Sequence, residues 1–247
     1  MFHGSQFFYY GMYLVGFALM MLINLKDHDR YQIAKKDAVL YTLYTYICGI
    51  VGAMIMGKTY SWVYTSLGFA TSGSVAIFGA VIFTPFLILL FPIKRKQWKN
   101  IMDMLTPGIL LILACAKLGC FVNGCCQGIV CDFGIHYQDD PKTYFPVQIF
   151  EVITMLVLLG VTQLYIRKSK RFVSGTAYPI TFGFYSITRF IWEFFRYYWD
   201  ENMRHILFGL DFWQLICVFV LDVCIIFALV LQIKSKNTSA ESTEVDQ

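Results

Sequence analysis

Phe184-Tyr185-Ser186-Ile187-Thr188-Arg189-Phe190-Ile191-Trp192-Glu193-Phe194-Phe195-Arg196 is an apolar, helix-length stretch with ionised groups inside it. Tyr185, Arg189, Glu193 and Arg196 follow one another at spacings of four, four and three, which is one face of an α-helix. The other faces carry Ile187, Phe190, Ile191, Trp192, Phe194 and Phe195. In a membrane, an arginine and a glutamate at depth cost roughly 2.5–3.5 kcal/mol each on insertion scales, so they must face protein groups or a wet cavity. This face is therefore a candidate functional site, and a purely structural Arg189–Glu193 ion pair is the competing reading.

Composition supports the membrane premise. Of 247 residues, 57% are hydrophobic and only 15% charged, well away from an average soluble domain. Seven segments are long enough to span a hydrocarbon core of about 30 Å: roughly 6–25, 39–57, 68–92, 103–122, 146–166, 178–196 and 212–233. The expectation is an all-α integral membrane protein, with a seven-helix domain over 1–233, an outer loop at 123–145 and a polar, disordered tail at 234–247. The first segment has no basic residues before it and no small-residue cleavage site after it, so it is not expected to be a cleaved signal peptide.

Charge sets the orientation. Loops 26–38, 93–102 and 167–177 and the tail hold fourteen lysines and arginines, whereas the opposite loops hold only Lys58, Lys142 and Arg204. The positive-inside rule places the N-terminus outside and the C-terminus in the cytoplasm. The net charge of +4 is a topology signal, and nucleic-acid binding has no support.

On that topology the remaining polar groups gather in the outer half. Tyr9, Tyr10 and Tyr13 open the first span, as an aromatic belt or as ligand contacts. Gly49, Gly52 and Gly57 suit close helix packing, and Ser72, Gly73 and Ser74 suit either packing or a polar cavity. Lys117 either snorkels to the surface or lines a site with Asn123. Gln148 and Glu151 share a helical face, and Gln214 begins the last span. Asp222, midway down that span, is expected to pair with another helix. A transporter would place polar groups at the midplane with access to both sides. An outer-half cluster instead suits an anionic lipid headgroup, for which arginine offers bidentate phosphate contacts.

Cys120, Cys125, Cys126 and Cys131 form a possible thiol site. Disulfide, free thiols and a metal site with His136 stay open, although the spacing lacks a paired C-x-x-C knuckle. No metal or cofactor is expected. Cys48, Cys115, Cys217 and Cys224 read as core.

Over nearly its whole length the chain resembles the prolipoprotein diacylglyceryl transferases. The resemblance is carried by Tyr10-Gly11-Met12-Tyr13, Gly52-Ala53, Asp103 with Pro107-Gly108, Leu118-Gly119 through Asn123-Gly124, Phe133-Gly134-Ile135, Pro146 with Gln148 and Glu151, Arg189 with Glu193 to Arg196, and Gln214, in the family's order. It implies a bacterial cytoplasmic-membrane enzyme that moves a diacylglyceryl group from phosphatidylglycerol to the cysteine thiol of a prolipoprotein signal peptide at the outer face. Arg189, Glu193, Lys117, Tyr185 and Glu151 become the candidate catalytic residues. Arg196, Asn123, Gln148, Tyr10, Tyr13, Ser72, Gly73 and Gln214 become the candidate lipid contacts.

The departures bear on the chemistry. Ala116-Lys117-Leu118-Gly119-Cys120 stands where the family has Gly-Arg-x-Gly-Asn, and Ser72-Gly73-Ser74 where it has His-Gly-Gly. Phe145 replaces the histidine before Pro-x-Gln, and Met54 the arginine after Gly-Ala. Lys117 keeps the charge without the bidentate fork. Without those histidines the general base must be Glu151, Glu193 or water. A transferase of the same fold with another acceptor or donor, or a catalytically silent lipid or signal-peptide binder, are the alternatives.

Overall fold

Helix α4 (Trp98–Asn123) is the element around which the others pack, because apolar residues run round most of its circumference between Asp103 and Lys117. It is buried almost continuously from Ile101 to Cys120, the pattern of a helix surrounded by protein rather than by lipid. The computed structural model describes residues 6–69, 76, 78–90, 97–137, 141–170, 172–198 and 200–245. Around α4 stand α1 (Gln6–Asp27), α2 (Lys35–Ser66), α3 (Phe78–Leu90), α5 (Val147–Lys168) and α6 (Ala177–Glu193), with α7 (Phe212–Val245) packed on α6. The outer faces of α1, α2, α5 and α7 expose Leu14, Leu22, Ile47, Val157, Leu164, Ile226 and Ile233, an apolar perimeter suited to acyl chains.

Small residues set how closely these helices approach. A methyl group built on Gly79 of α3 would collide with the Gly52 carbonyl of α2, and one on Gly52 would lie 2.8 Å from Phe83 Cβ. That contact is backbone to backbone, as expected of the glycines read from the sequence.

Five helices, within 6–31, 35–66, 98–123, 147–168 and 212–237, are long and apolar enough to cross a membrane. With these five the chain is a multi-pass, mostly helical membrane protein. The described part of α3 has 13 residues and α6 has 17. At 1.5 Å per residue they reach about 20 and 26 Å, short of a 30 Å core on their own. Three other boundaries depart from expectation. α6 stops at Glu193, so Arg196 lies beyond it; α2 runs on to Ser66; and α7 continues to Val245 through the polar tail whose composition reads as disordered. Asp222 is exposed on α7 and, among the described residues, forms no ion pair with another helix.

The loop after α4 is ordered by a short hairpin, β1 (Val130–His136) with β2 (Thr143–Tyr144), antiparallel. Residues 127–129 run between two other segments: Gly128 N–H donates to Phe145 O (3.1 Å), Ile129 N–H to Phe195 O (2.9 Å), and Tyr197 N–H to Gln127 O (3.0 Å). Only glycine fits at 128, since a Cβ there would run into the Phe145 carbonyl. The loop is thereby stitched to the chain leaving α6.

At the end of the bundle carrying the basic loops, Asp103 of α4 accepts from Gly175 N–H (2.6 Å) and Ala177 N–H (3.0 Å). A buried carboxylate thus caps α6 from a neighbouring helix, where the dipole favours negative charge. Arg167 of α5 grips Asp27 of α1 with both carboxylate oxygens (3.0 and 2.7 Å) on the same side.

Candidate functional site

Four elements bring five ionised side chains together at the other end of the bundle. Lys117 comes from the last third of α4, Glu151 from the first turns of α5, Arg189 and Glu193 from the last turns of α6, and Arg196 from the chain beyond it. Glu151 is the hub. It receives Lys117 Nζ at 2.8 Å and Arg196 Nη2 at 2.8 and 2.9 Å to its two oxygens, and it lies 3.5 Å from Arg189 Nη1. Glu193 pairs with Arg189 one helical turn back and lies 3.5 Å from Arg196 Nε, while Tyr198 donates its hydroxyl to the second oxygen at 2.6 Å. All five side chains are less than a tenth exposed.

Arg196 reaches the cluster from just beyond α6, where a turn with Arg196 N–H on Glu193 O (3.1 Å) keeps the expected spacing of three. Phe194 and Phe195 turn out of α6, and the backbone of Arg196 bridges to Gly128. Its guanidinium then folds back onto Glu151 of the neighbouring helix. Lys117 does not snorkel; it is drawn inward to the same carboxylate. These five side chains, three cations and two carboxylates, sum to +1, and Asp211, which interacts electrostatically with Glu193 and Arg189, adds a further carboxyl beside them. Burying charge is costly unless it is paired, and a surplus cation in an apolar setting favours the arrival of an anion.

The other sequence-derived residues divide sharply. Gln148 is fully buried, and its amide donates to Cys125 O at 2.8 Å, with Tyr137 Oη at 3.5 Å, so it anchors the loop rather than the ion cluster. Asn123 ends α4, half-buried, immediately before the Gly124 turn. Tyr185 is buried with its ring stacked on Phe78 at 5.5 Å. Gln214, expected as a lipid contact, is a capping residue: its Oε1 accepts from Asp211 N–H (3.2 Å) while its own N–H donates to Asp211 Oδ1 (2.9 Å), starting α7. Tyr10 is 64% exposed at the start of α1. Tyr13 shares a 2.8 Å hydroxyl contact with Tyr9 and lines an apolar cavity of about 90 Å³ with Ala53, Ala80 and Ile109. Ser72, Gly73 and Ser74 lie outside the described residues. Phe145 sits in an aromatic stack with Phe150 (5.0 Å) and Phe195 (5.6 Å), a setting that offers no proton acceptor.

Two contributors escaped the sequence reading. Tyr198 lies beyond the helix and has no periodic relation to Glu193; Asp211 carries an N-cap signal only in hindsight, through Gln214 three residues on. Burial and the charge of Glu193 push the Asp211 carboxyl up to about 6.

The thiols also regroup. Gly124, at φ +72°, closes α4 with Gly124 N–H on Phe121 O (3.3 Å) and Cys125 N–H on Cys120 O (3.1 Å). That reversal returns Cys125 and Cys126 over Cys120, with all three sulfurs within 4.8 Å of one another. Cys131 and His136 are outside this group: Cys131 lies on β1 with its thiol on Phe133 O. All eight cysteines are free, and Cys126 is exposed.

Comparison with known proteins bears on the same residues. The profile of a family described as prolipoprotein diacylglyceryl transferase matches residues 2–231. The chain belongs to that family. It is 27% identical to phosphatidylglycerol-prolipoprotein diacylglyceryl transferase 2 of Clostridium perfringens over 253 aligned positions, 96% of each chain. The transferase of Dehalococcoides mccartyi strain BAV1 is 36% identical over 141 positions, about half of each chain. That of Coxiella burnetii is 27% identical over 223 positions, 81% of each. The matched region takes in every member of the charged cluster, so this diacylglyceryl transferase family member has its surplus positive charge inside the family domain.

Proposed function

We propose that this protein transfers a diacylglyceryl group from phosphatidylglycerol to the cysteine thiol of prolipoprotein signal peptides. The observation that carries the reading is the buried cluster that gathers three cations, Lys117, Arg189 and Arg196, around Glu151, a set of donors suited to a lipid phosphate. Arg189, Arg196 and Lys117 hold the phosphodiester. As the acceptor sulfur forms its bond to the glycerol carbon and the C–O bond to phosphate breaks, the same cations stabilise the charge gathering on the departing glycerol phosphate. Glu151, with both oxygens engaged, positions the cations, whereas Glu193, whose Oε2 accepts no hydrogen bond among the described residues, or water takes the thiol proton.

Charge asymmetry supports seven crossings, with α3 and α6 completing the five long spans, the N-terminus outside and the basic loops in the cytoplasm. That orientation turns the cluster toward the outer leaflet of a bacterial cytoplasmic membrane. The test is purified protein with phosphatidylglycerol and a lipobox peptide, read by mass spectrometry for thioether-linked diacylglycerol. Wild type should give product, and Arg189→Ala should lower the rate about 100- to 1,000-fold, the cost of removing one preorganised charge donor. No product from folded, lipid-bound protein would point to another acceptor or to a binding role.

A further inference from the structure

We infer that Cys120, Cys125 and Cys126 form a trithiolate site for a soft divalent d10 cation, of which Zn²⁺ is the common example. Their sulfurs already lie within 4.8 Å of one another. Tetrahedral zinc with bonds of about 2.3 Å sets sulfur–sulfur separations near ~3.8 Å, so side-chain rotation of about 1 Å closes the site. The backbone is held for it from three directions. Cys125 N–H bonds Cys120 O, Gln148 of α5 donates to Cys125 O at 2.8 Å, and Gly128 fastens the loop to Phe145. Cys126 adopts φ +60°, a left-handed conformation that a non-glycine residue takes at some cost.

The charges agree with this assignment. Coordinated thiols are deprotonated, so three thiolates with a divalent ion carry −1. Lys117 and Arg196, members of the +1 cluster, both act electrostatically on Cys126. Those cations favour the thiolate form of the three ligands from across the loop. The spacing C-x4-C-C hid this arrangement, because the convergence depends on the Gly124 reversal and not on a paired knuckle.

Among the described residues no fourth histidine, cysteine or carboxylate joins the three sulfurs. Three protein ligands with the fourth position not filled by protein is the pattern of zinc sites that take a substrate. A thiol entering there would be held as its thiolate, the form that attacks carbon. This last consequence rests on the transferase reading, whereas metal binding does not.

The experiment titrates Cd²⁺ into the purified, reduced full-length protein in detergent and follows the thiolate-to-metal charge-transfer absorption. A parallel Zn²⁺ measurement uses elemental mass spectrometry. The expected result is saturation at one equivalent, affinity lowered more than about 100-fold in Cys120→Ser and Cys126→Ser, and no change in Cys131→Ser. Absence of a saturable band in monodisperse wild type would overturn the inference, and that result does not depend on whether any variant folds. So would a band that survives in both serine variants, or a disulfide joining two of the three cysteines in the protein as isolated. No lipid or peptide enters the assay, so it succeeds or fails independently of the transferase experiment.

Discussion

Two buried carboxylates, Asp103 and Glu151, are satisfied in opposite ways at the two ends of the bundle. Asp103 spends both oxygens on the backbone of residues 175 and 177, and its charge is answered by the N-terminus of α6. Glu151 holds three long cationic side chains from three different segments, and together with Glu193 it leaves one positive charge over. Asp103 lies fourteen residues, about 21 Å, along α4 from Lys117, so one helix carries a closed electrostatic account at one end and an open one at the other. Burial alone does not separate a structural charge from a functional one; the balance of partners does.

That contrast is most directly broken at Glu151. Replacing it by alanine leaves Lys117, Arg189 and Arg196 without their shared partner, and removing one member of a buried ionic network costs about 3–5 kcal/mol. Glu151→Ala should therefore unfold at markedly lower denaturant in detergent and lose lipid transfer. Glu151→Gln, which keeps shape and one acceptor, should fold better while remaining inactive, because the guanidiniums lose their registration. Wild-type activity in Glu151→Gln would reduce the cluster to helix glue.

Asp103 sharpens the same contrast from the structural side. Asp103→Ala leaves two buried N–H groups without an acceptor, for a loss of about 1–3 kcal/mol in the same unfolding measurement. Because the site is a helix length away, the turnover of the folded fraction should stay close to wild type. A selective loss of activity at full stability would show that the capped end is coupled to the charged one.

How far these roles were readable from sequence follows from what periodicity encodes. Tyr185, Arg189 and Glu193 share a helical face, and spacing alone exposed them. Lys117 and Glu151 were legible as costly charges in apolar surroundings, but not as partners, since pairing between helices has no linear signature. Arg196 was legible from its spacing of three from Glu193, which survives the helix end as a turn with Arg196 N–H on Glu193 O at 3.1 Å and Nε 3.5 Å from the Glu193 carboxylate; its bond to Glu151 on another helix was not. Gln148 and Gln214 entered as ligand contacts through the family resemblance; Gln148 also holds a loop carbonyl through its amide N–H, with its Oε1 left without a hydrogen bond, and Gln214 caps α7. Polar type in a membrane segment signals that a partner exists, while only geometry says whether that partner is backbone or substrate.

The smallest effect belongs to the ion pair that resembles the cluster most in chemistry and least in setting. Arg167 binds both oxygens of Asp27 with distances as short as those at Glu151, but the arginine side chain is 39% exposed. Water and salt already solvate the arginine, so the pair gains little over separated ions. Arg167→Ala should shift stability by about 0.5 kcal/mol at low salt, and the shift should shrink as ionic strength rises toward 1 M, where the screening length falls to about 3 Å. The buried cluster, out of reach of that screening, should show little salt dependence in a parallel Glu151→Gln series. Equal salt sensitivity in the two series would mean that the cluster is wet, and its surplus charge would then be solvated by water rather than held in readiness for an anionic lipid.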